Sequence, residues 1–168
     1  MDIQKTVLLG ALFMLCSLTG SYAQFEGTIG IGVHAGYGAE IQRPGAGVHL
    51  HYYQTNNLRF APSFTRYRAH KGEGMWIMDA DVHYLLPVSY SASLYPLAGV
   101  HYSNWRYDAE KAGDPLGKDR TRHRLGTSLG IGFQDDIGYR LRANFELKYQ
   151  YIKDYSQVVF TAGFGFWF

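Results

Sequence analysis

Between Leu141 and Tyr151 the chain alternates without a break, with Leu141, Ala143, Phe145, Leu147, Tyr149 and Tyr151 separated by Arg142, Asn144, Glu146, Lys148 and Gln150. Successive side chains of an extended strand point to opposite faces, so this order makes one oily face and one polar face. A helix would scatter both classes around its circumference. The segment has the length that a tilted strand needs to cross a bilayer, about ten residues.

The same alternation recurs seven more times. The first strand carries Ile29, Ile31, Val33, Ala35 and Tyr37 outward, and the second Ala46, Val48, Leu50 and Tyr52 against Gly47, His49 and His51. The third sets Leu58, Phe60, Pro62 and Phe64 against Arg59, Ala61 and Ser63, and its proline predicts a bulge because it removes a ladder donor. The fourth sets Trp76, Met78, Ala80 and Val82 against Ile77, Asp79, Asp81 and His83. The fifth, Leu94 to Trp105, is the least regular, and the sixth alternates Leu125, Thr127, Leu129 and Ile131 with Gly126, Ser128 and Gly130. Leu141 to Tyr151 is the seventh, and the eighth ends the chain with Val158, Phe160, Ala162, Phe164, Phe166 and Phe168 outward.

What precedes the first strand reads as a leader. An apolar run from Val7 to Leu15 is followed by Ser21-Tyr22-Ala23, a small-x-small triplet of the kind a signal peptidase accepts, so residues 1–23 are expected to be a cleaved signal peptide. A lipoprotein would be modified at Cys16, but Leu15 is bulky where that peptidase takes a small residue. Cleavage before Gln24 removes the only cysteine, so residues 24–168 have neither a disulfide nor a thiolate ligand. A net charge of +2 gives no reason to expect nucleic acid.

No run of roughly 18 apolar residues follows the leader, so no helix can span a bilayer. Only helices and closed barrels satisfy their backbone in hydrocarbon, and a barrel needs apolar residues on one face only, which suits a mean hydropathy of -0.20. A soluble barrel would have to bury the other face, with His49, His51, Arg59, Asp79, Asp81, His83, Arg142, Glu146 and Lys148, in an oily core at high cost. The expected fold is therefore all-β: a single eight-stranded antiparallel up-and-down transmembrane β-barrel over residues 24–168. With both termini in the periplasm, the links near Asn56-Asn57, Pro87 to Ser93 and Asp135 to Tyr139 become inner turns. Gly38 to Pro44, Arg68 to Gly74, Tyr107 to Arg122 and Ile152 to Ser156 then face the exterior, which gives that side the longest loop.

The chain resembles the small outer-membrane β-barrel domain proteins often labelled porin family, similar in architecture to OmpX and to the transmembrane domain of OmpA. The likeness rests on Tyr95-Pro96-Leu97-Ala98-Gly99-Val100 with Asn104-Trp105, on Lys148-Tyr149-Gln150, on Gln157-Val158-Val159-Phe160 and on the terminal Phe168. The resemblance implies a Gram-negative outer membrane. It also implies that Phe164, Phe166 and Phe168 are the signal read by the barrel assembly machinery. It names no substrate.

Three constellations invite a chemical reading. His101-Tyr102-Ser103-Asn104 resembles the His-x-Ser-Asn stretch of outer-membrane lipid A deacylases, but parity puts His101 and Ser103 in the lumen, away from lipid, and no acid matches on the next strand. His49 and His51 share a face roughly 7 Å apart, with His34 and His83 nearby, an arrangement that can bind zinc or pack as lumen polarity. Gly30, Gly32 and Gly36 precede no helix and so make no phosphate loop; they leave room in a narrow barrel.

No cofactor or metal is expected, and no enzymatic activity. The leading expectation is a structural or surface-interaction barrel whose lumen is filled by ion pairs of Arg59, Arg142 and Lys148 with Asp79, Asp81 and Glu146. Arg66, Arg68, Arg120, Arg122 and Arg124 are expected to meet lipopolysaccharide phosphate at the rim, because guanidinium pairs with phosphate in bidentate fashion. Outer-membrane lipid, lipopolysaccharide and an unidentified extracellular partner are the expected contacts. A narrow porin and a lipid A hydrolase stand as alternatives.

Overall fold

The computed structural model describes residues 26–70, 72–113, 117–153 and 156–168. The expected leader lies outside these residues, as do Lys71 and Asp114 of the expected exterior links. Among the described residues the strands are β1 (Ile29–Gly38), β2 (Arg43–Tyr53), β3 (Leu58–His70), β4 (Glu73–Tyr84), the two-residue β5 (Leu86–Pro87), β6 (Ala92–Tyr107), β7 (Arg120–Asp136), β8 (Leu141–Ile152) and β9 (Gln157–Trp167). One short helix, α1 (Ala109–Ala112), follows β6.

Each long strand pairs antiparallel with its neighbour in the chain, and β9 returns to pair with β1 from Gly30↔Trp167 to Gly38↔Val159. The result is a closed eight-stranded barrel, with β5 a short extension beside β6. A ring has no edge, so strand backbone groups find partners without water, as hydrocarbon requires. No helix among the described residues is long and apolar enough to cross a membrane. The start of β1 and the last residue meet at one end of the barrel, where Phe168 N donates to Ile29 O at 3.0 Å.

The burial pattern is inverted relative to a water-soluble protein. Val33 is 60% exposed and Leu129 68%, whereas Arg59 is 0% and Asp81 2% exposed. The oily face therefore points out and the polar face in, on every long strand.

Pro62 does not bulge its strand. It sits in register with Ala80 of β4, and β2–β3 pairing lapses beside it before resuming at Tyr52↔Phe60 with the same offset. The missing donor costs ladder bonds on one side without shifting register; the irregularity in β3 lies instead between Tyr67 and His70. β6 and β7 are longer than expected, because Arg120 to Arg124 continue to pair with Ser103 to Tyr107. The exterior link expected to run from Tyr107 to Arg122 accordingly lies between Tyr107 and Arg120.

Two apolar layers close the ends of the interior. Tyr53, Leu85, Tyr95, Leu97 and Trp167 pack at the end that holds the termini, and Ile41, Tyr67, Met75 and Ile77, with Trp105 against them, pack at the opposite end. Glycine makes room for the large rings: a Cβ on Gly30 would lie 2.7 Å from Trp167, and one on Gly132 would enter the Tyr95 ring.

Candidate functional site: a plugged lumen beneath a basic mouth

Between the two apolar layers the inward positions of β4 and β8 face each other across the barrel. Lys148 Nζ lies 2.9 Å from Asp81, 3.9 Å from Asp79 and 3.8 Å from Glu146. Gln150 donates to Asp79 at 2.9 Å, Gln157 donates to Gln150 at 2.8 Å, and the Tyr95 hydroxyl donates to Glu146 at 3.0 Å. An ammonium and three carboxylates taken out of water offset one another's desolvation only when they are paired and hydrogen-bonded in this way.

The two arginines expected in the same constellation find other partners. Arg59 donates to Gln134 at 2.5 Å, to Tyr53 at 3.0 Å and to His83 Nδ1, and stands 4.8 Å from the Tyr95 ring centre. Arg142 pairs with Asp136, donates to the Tyr53 hydroxyl and lies 4.1 Å from the Trp167 ring centre. The six charged residues thus fall into two groups. Asp136 and Gln134, which the sequence reading did not include, complete the second group. The hairpin itself carried the signal for Asp136, since the β7–β8 register sets it opposite Arg142.

Histidines cover the β1–β2 wall. His34, His49 and His51 form a stack with centroids 5.7 and 4.4 Å apart, and His51 meets His83 edge-on. The void among these side chains, Asp81, Glu146 and Lys148 is about 20 Å³, the scale of one water. His51, His83 and Glu146 bring possible ligand atoms within 4.8 Å of one another. The donor chemistry does not fit a metal. His83 Nδ1 accepts from Arg59, so a neutral ring carries its proton on Nε2 and neither nitrogen has a free lone pair.

His101 and Ser103 are buried in the lumen, while Asn104 is on the outer face beside His123. His101 hydrogen-bonds Ser128 at 3.3 Å, and Ser103 donates to Arg124 O at 3.3 Å. An acid does stand opposite His101, but on the preceding strand: Asp79. That carboxylate accepts from Gln150 and Ser63. The set has no face toward lipid.

The far end of the barrel carries the arginines expected at the rim, and they divide between its two faces. Arg66 pairs across the strands with Trp76, which packs at 5.8 Å from Phe64 and 5.5 Å from Tyr102 in an outer aromatic belt. Arg68 is exposed two positions further along the same outer face. Arg120, Arg122 and Arg124 stand opposite Tyr107, Trp105 and the buried Ser103, which puts them on the inner face. Parity from the outward Leu125 was the sequence signal for this placement.

These three arginines line a cavity of about 390 Å³ above the Ile77 layer, together with Trp105, Tyr107, Arg106, Lys118 and Glu73. Glu73 is bound by Arg43 at 2.9 Å. Arg124 is anchored by a 2.8 Å bond to Lys153 O, and the Trp105 indole donates to Ser103 at 3.3 Å. Beyond the cavity, Asp108 caps α1; hydrogen bonds from Lys111 hold its carboxyl below the usual range.

Residues 8–168 match the model of the family described as outer membrane protein beta-barrel domain. Among solved structures, the N-terminal β-barrel domain of Pseudomonas aeruginosa OprF is similar with a TM-score of 0.72 at 16% identity, over 87% of this chain and 100% of that one. The Yersinia pestis attachment invasion locus protein Ail gives 0.61 at 18% identity, over 85% and 99%. Neisserial surface protein A gives 0.64 at 16% identity, over 83% and 95%. These likenesses are likenesses of fold. No curated protein matches the chain.

Proposed function

Because the chain belongs to the outer membrane protein β-barrel domain family, we propose that it is an integral outer-membrane barrel that works at its exterior surface and does not pass solutes through its lumen. The filled interior carries this reading. An eight-stranded ring leaves space only for side chains, and here Lys148 and its three carboxylates lie between two apolar layers, while Arg59 and Arg142 pack on the aromatic rings of one of them.

The termini face the periplasm and the basic mouth faces outward, since the longest strand pair, β6–β7, and α1 project from that end. At the rim, Arg66 stands level with the aromatic belt and Arg68 two positions beyond it, and both hold lipopolysaccharide phosphates there. Phe164, Phe166 and Phe168 line the outer face of the last strand, where the assembly machinery reads them. A deacylase role has no support in this arrangement, because His101 and Ser103 are shut inside the barrel.

Purified protein in a planar bilayer is expected to give no steady single-channel current. Large, steady currents would overturn the reading and favour a narrow porin. Replacing Arg66 and Arg68 with Gln is expected to reduce co-purified lipopolysaccharide, and an unchanged amount removes those two residues from the lipid contact.

A further inference from the structure

We propose that the cavity at the mouth is a binding site for a ring-shaped, multiply charged anion, a sugar or cyclitol carrying phosphate or sulfate esters. The proposal rests on the surface-acting reading above and names the ligand class of that surface.

The walls supply charge in one sign. Among the described residues that line the cavity, Lys118, Arg106, Arg120, Arg122 and Arg124 stand against one carboxylate, that of Glu73. That carboxylate is committed to Arg43, which also donates to the Glu73 carbonyl at 3.1 Å. Guanidinium groups bind phosphate and sulfate oxygens through paired N–H donors, and several around one cavity select an anion with several such groups.

The floor supplies a different chemistry. Trp105 packs on the layer of Ile41, Tyr67, Met75 and Ile77, and its indole is oriented by the bond to Ser103. Tyr107 and Trp105 stand opposite Arg120 and Arg122 in the strand register, so the cavity offers flat, amphipathic rings beside the cations. A simple inorganic ion would leave that surface unused, whereas the less polar face of a saccharide ring covers it. The volume of about 390 Å³ falls within the range of small-molecule sites, roughly 300–1,000 Å³.

The site is open to the exterior and not to the bilayer. Trp105, Tyr107, Arg120, Arg122 and Arg124 hold inner-face positions, whereas Trp76, Tyr102 and His123 occupy the outer face of the same strands; Arg106, at the strand end, is the one lining residue of β6 with outer-face parity. A ligand therefore arrives from solution, or as a phosphorylated sugar chain reaching over the rim.

The test uses the full mature chain in nanodiscs of zwitterionic lipid, with inositol hexakisphosphate titrated calorimetrically and myo-inositol as the uncharged control. Binding of the hexakisphosphate alone is expected. The double variant Arg120→Gln/Arg122→Gln should weaken it by roughly tenfold or more, and Arg66→Gln/Arg68→Gln should leave it unchanged. A parallel titration with the phosphorylated core oligosaccharide released from lipopolysaccharide distinguishes the sources: competition with the hexakisphosphate assigns the site to surface glycan, and its absence to a soluble anion. Lys118→Gln, in an irregular segment, provides a second variant whose folding is insulated from the strands. Failure of the wild-type protein to bind the hexakisphosphate, or equal binding by the mouth variants, overturns the proposal. Either result leaves the bilayer-conductance test of the surface reading standing, so the two ideas fail separately.

Discussion

Lys148 stands among three carboxylates in a space that water hardly reaches, with Asp81 at 2.9 Å, Glu146 at 3.8 Å and Asp79 at 3.9 Å. Replacing it with Met keeps the length of the side chain and removes the charge, leaving those carboxylates to face one another. Breaking a buried pair in this way costs about 3–5 kcal/mol, so Lys148→Met is expected to lower the urea midpoint of the lipid-folded barrel sharply. The double variant Lys148→Met/Asp81→Asn should recover part of the loss, and an unchanged midpoint in the single variant would show that the carboxylates are already neutral or solvated. Gly132 makes the complementary test, because any side chain there enters the Tyr95 ring. Tyr95 in turn carries both the Glu146 bond and the contact with Arg59. Overpacking costs about 1–3 kcal/mol, and Gly132→Val is expected to fall in that range by the same measurement. Gly138 has nothing within reach of an added Cβ, which makes Gly138→Ala the control for glycine replacement as such.

Among the elements, β3 combines a sound register with a local fault. Pro62 keeps its pairing with β4, but the β2–β3 ladder is interrupted beside it. Pro62→Val restores a backbone donor at an outward position where a β-branched residue also suits lipid. A net gain of about 0.5–1.5 kcal/mol is expected from the added bond. Slower amide exchange at Leu50 and His51 is the measurement, and unchanged exchange there would place the interruption in strand geometry instead of the missing donor. The alternation made β3 legible as a strand, yet it predicted the wrong consequence for its proline. A bulge needs an extra residue in one strand, and the chain has none at this point.

At the scale of the whole molecule, closure ties the parts together. β9 binds both β8 and β1, so the last strand completes the ring that the first one begins. The charges of the molecule then act in two media. Those of the lumen are buried and weakly screened, whereas those of the mouth face solution. Added salt shortens the reach of exposed charges, with a Debye length near 3 Å at about 1 M. Raising salt is therefore expected to leave the urea midpoint almost unchanged while it weakens anion binding at the mouth. Parallel losses in both would show that the lumen pairs are open to water.

The strands and the two faces of each could be read from the chain before any contact was known. Alternation is a local property, fixed by the opposite directions of neighbouring side chains in an extended chain, so Leu141 to Tyr151 announced its oily and polar faces without any partner. The same parity placed Arg59, Asp81 and Lys148 inside, and it would have placed Arg120, Arg122 and Arg124 on the inner face had it been carried beyond Leu125. Parity does not say which inward residues meet. Lys148 finds Asp81 from β4, Arg59 finds Gln134 from β7, and Arg142 finds Asp136 from its own hairpin. Those meetings depend on how far each strand is offset as the tilted ring closes, a property of the whole barrel. Only the closed ring settles which charges pair and brings Arg120, Arg122 and Arg124 together around Trp105 at the mouth.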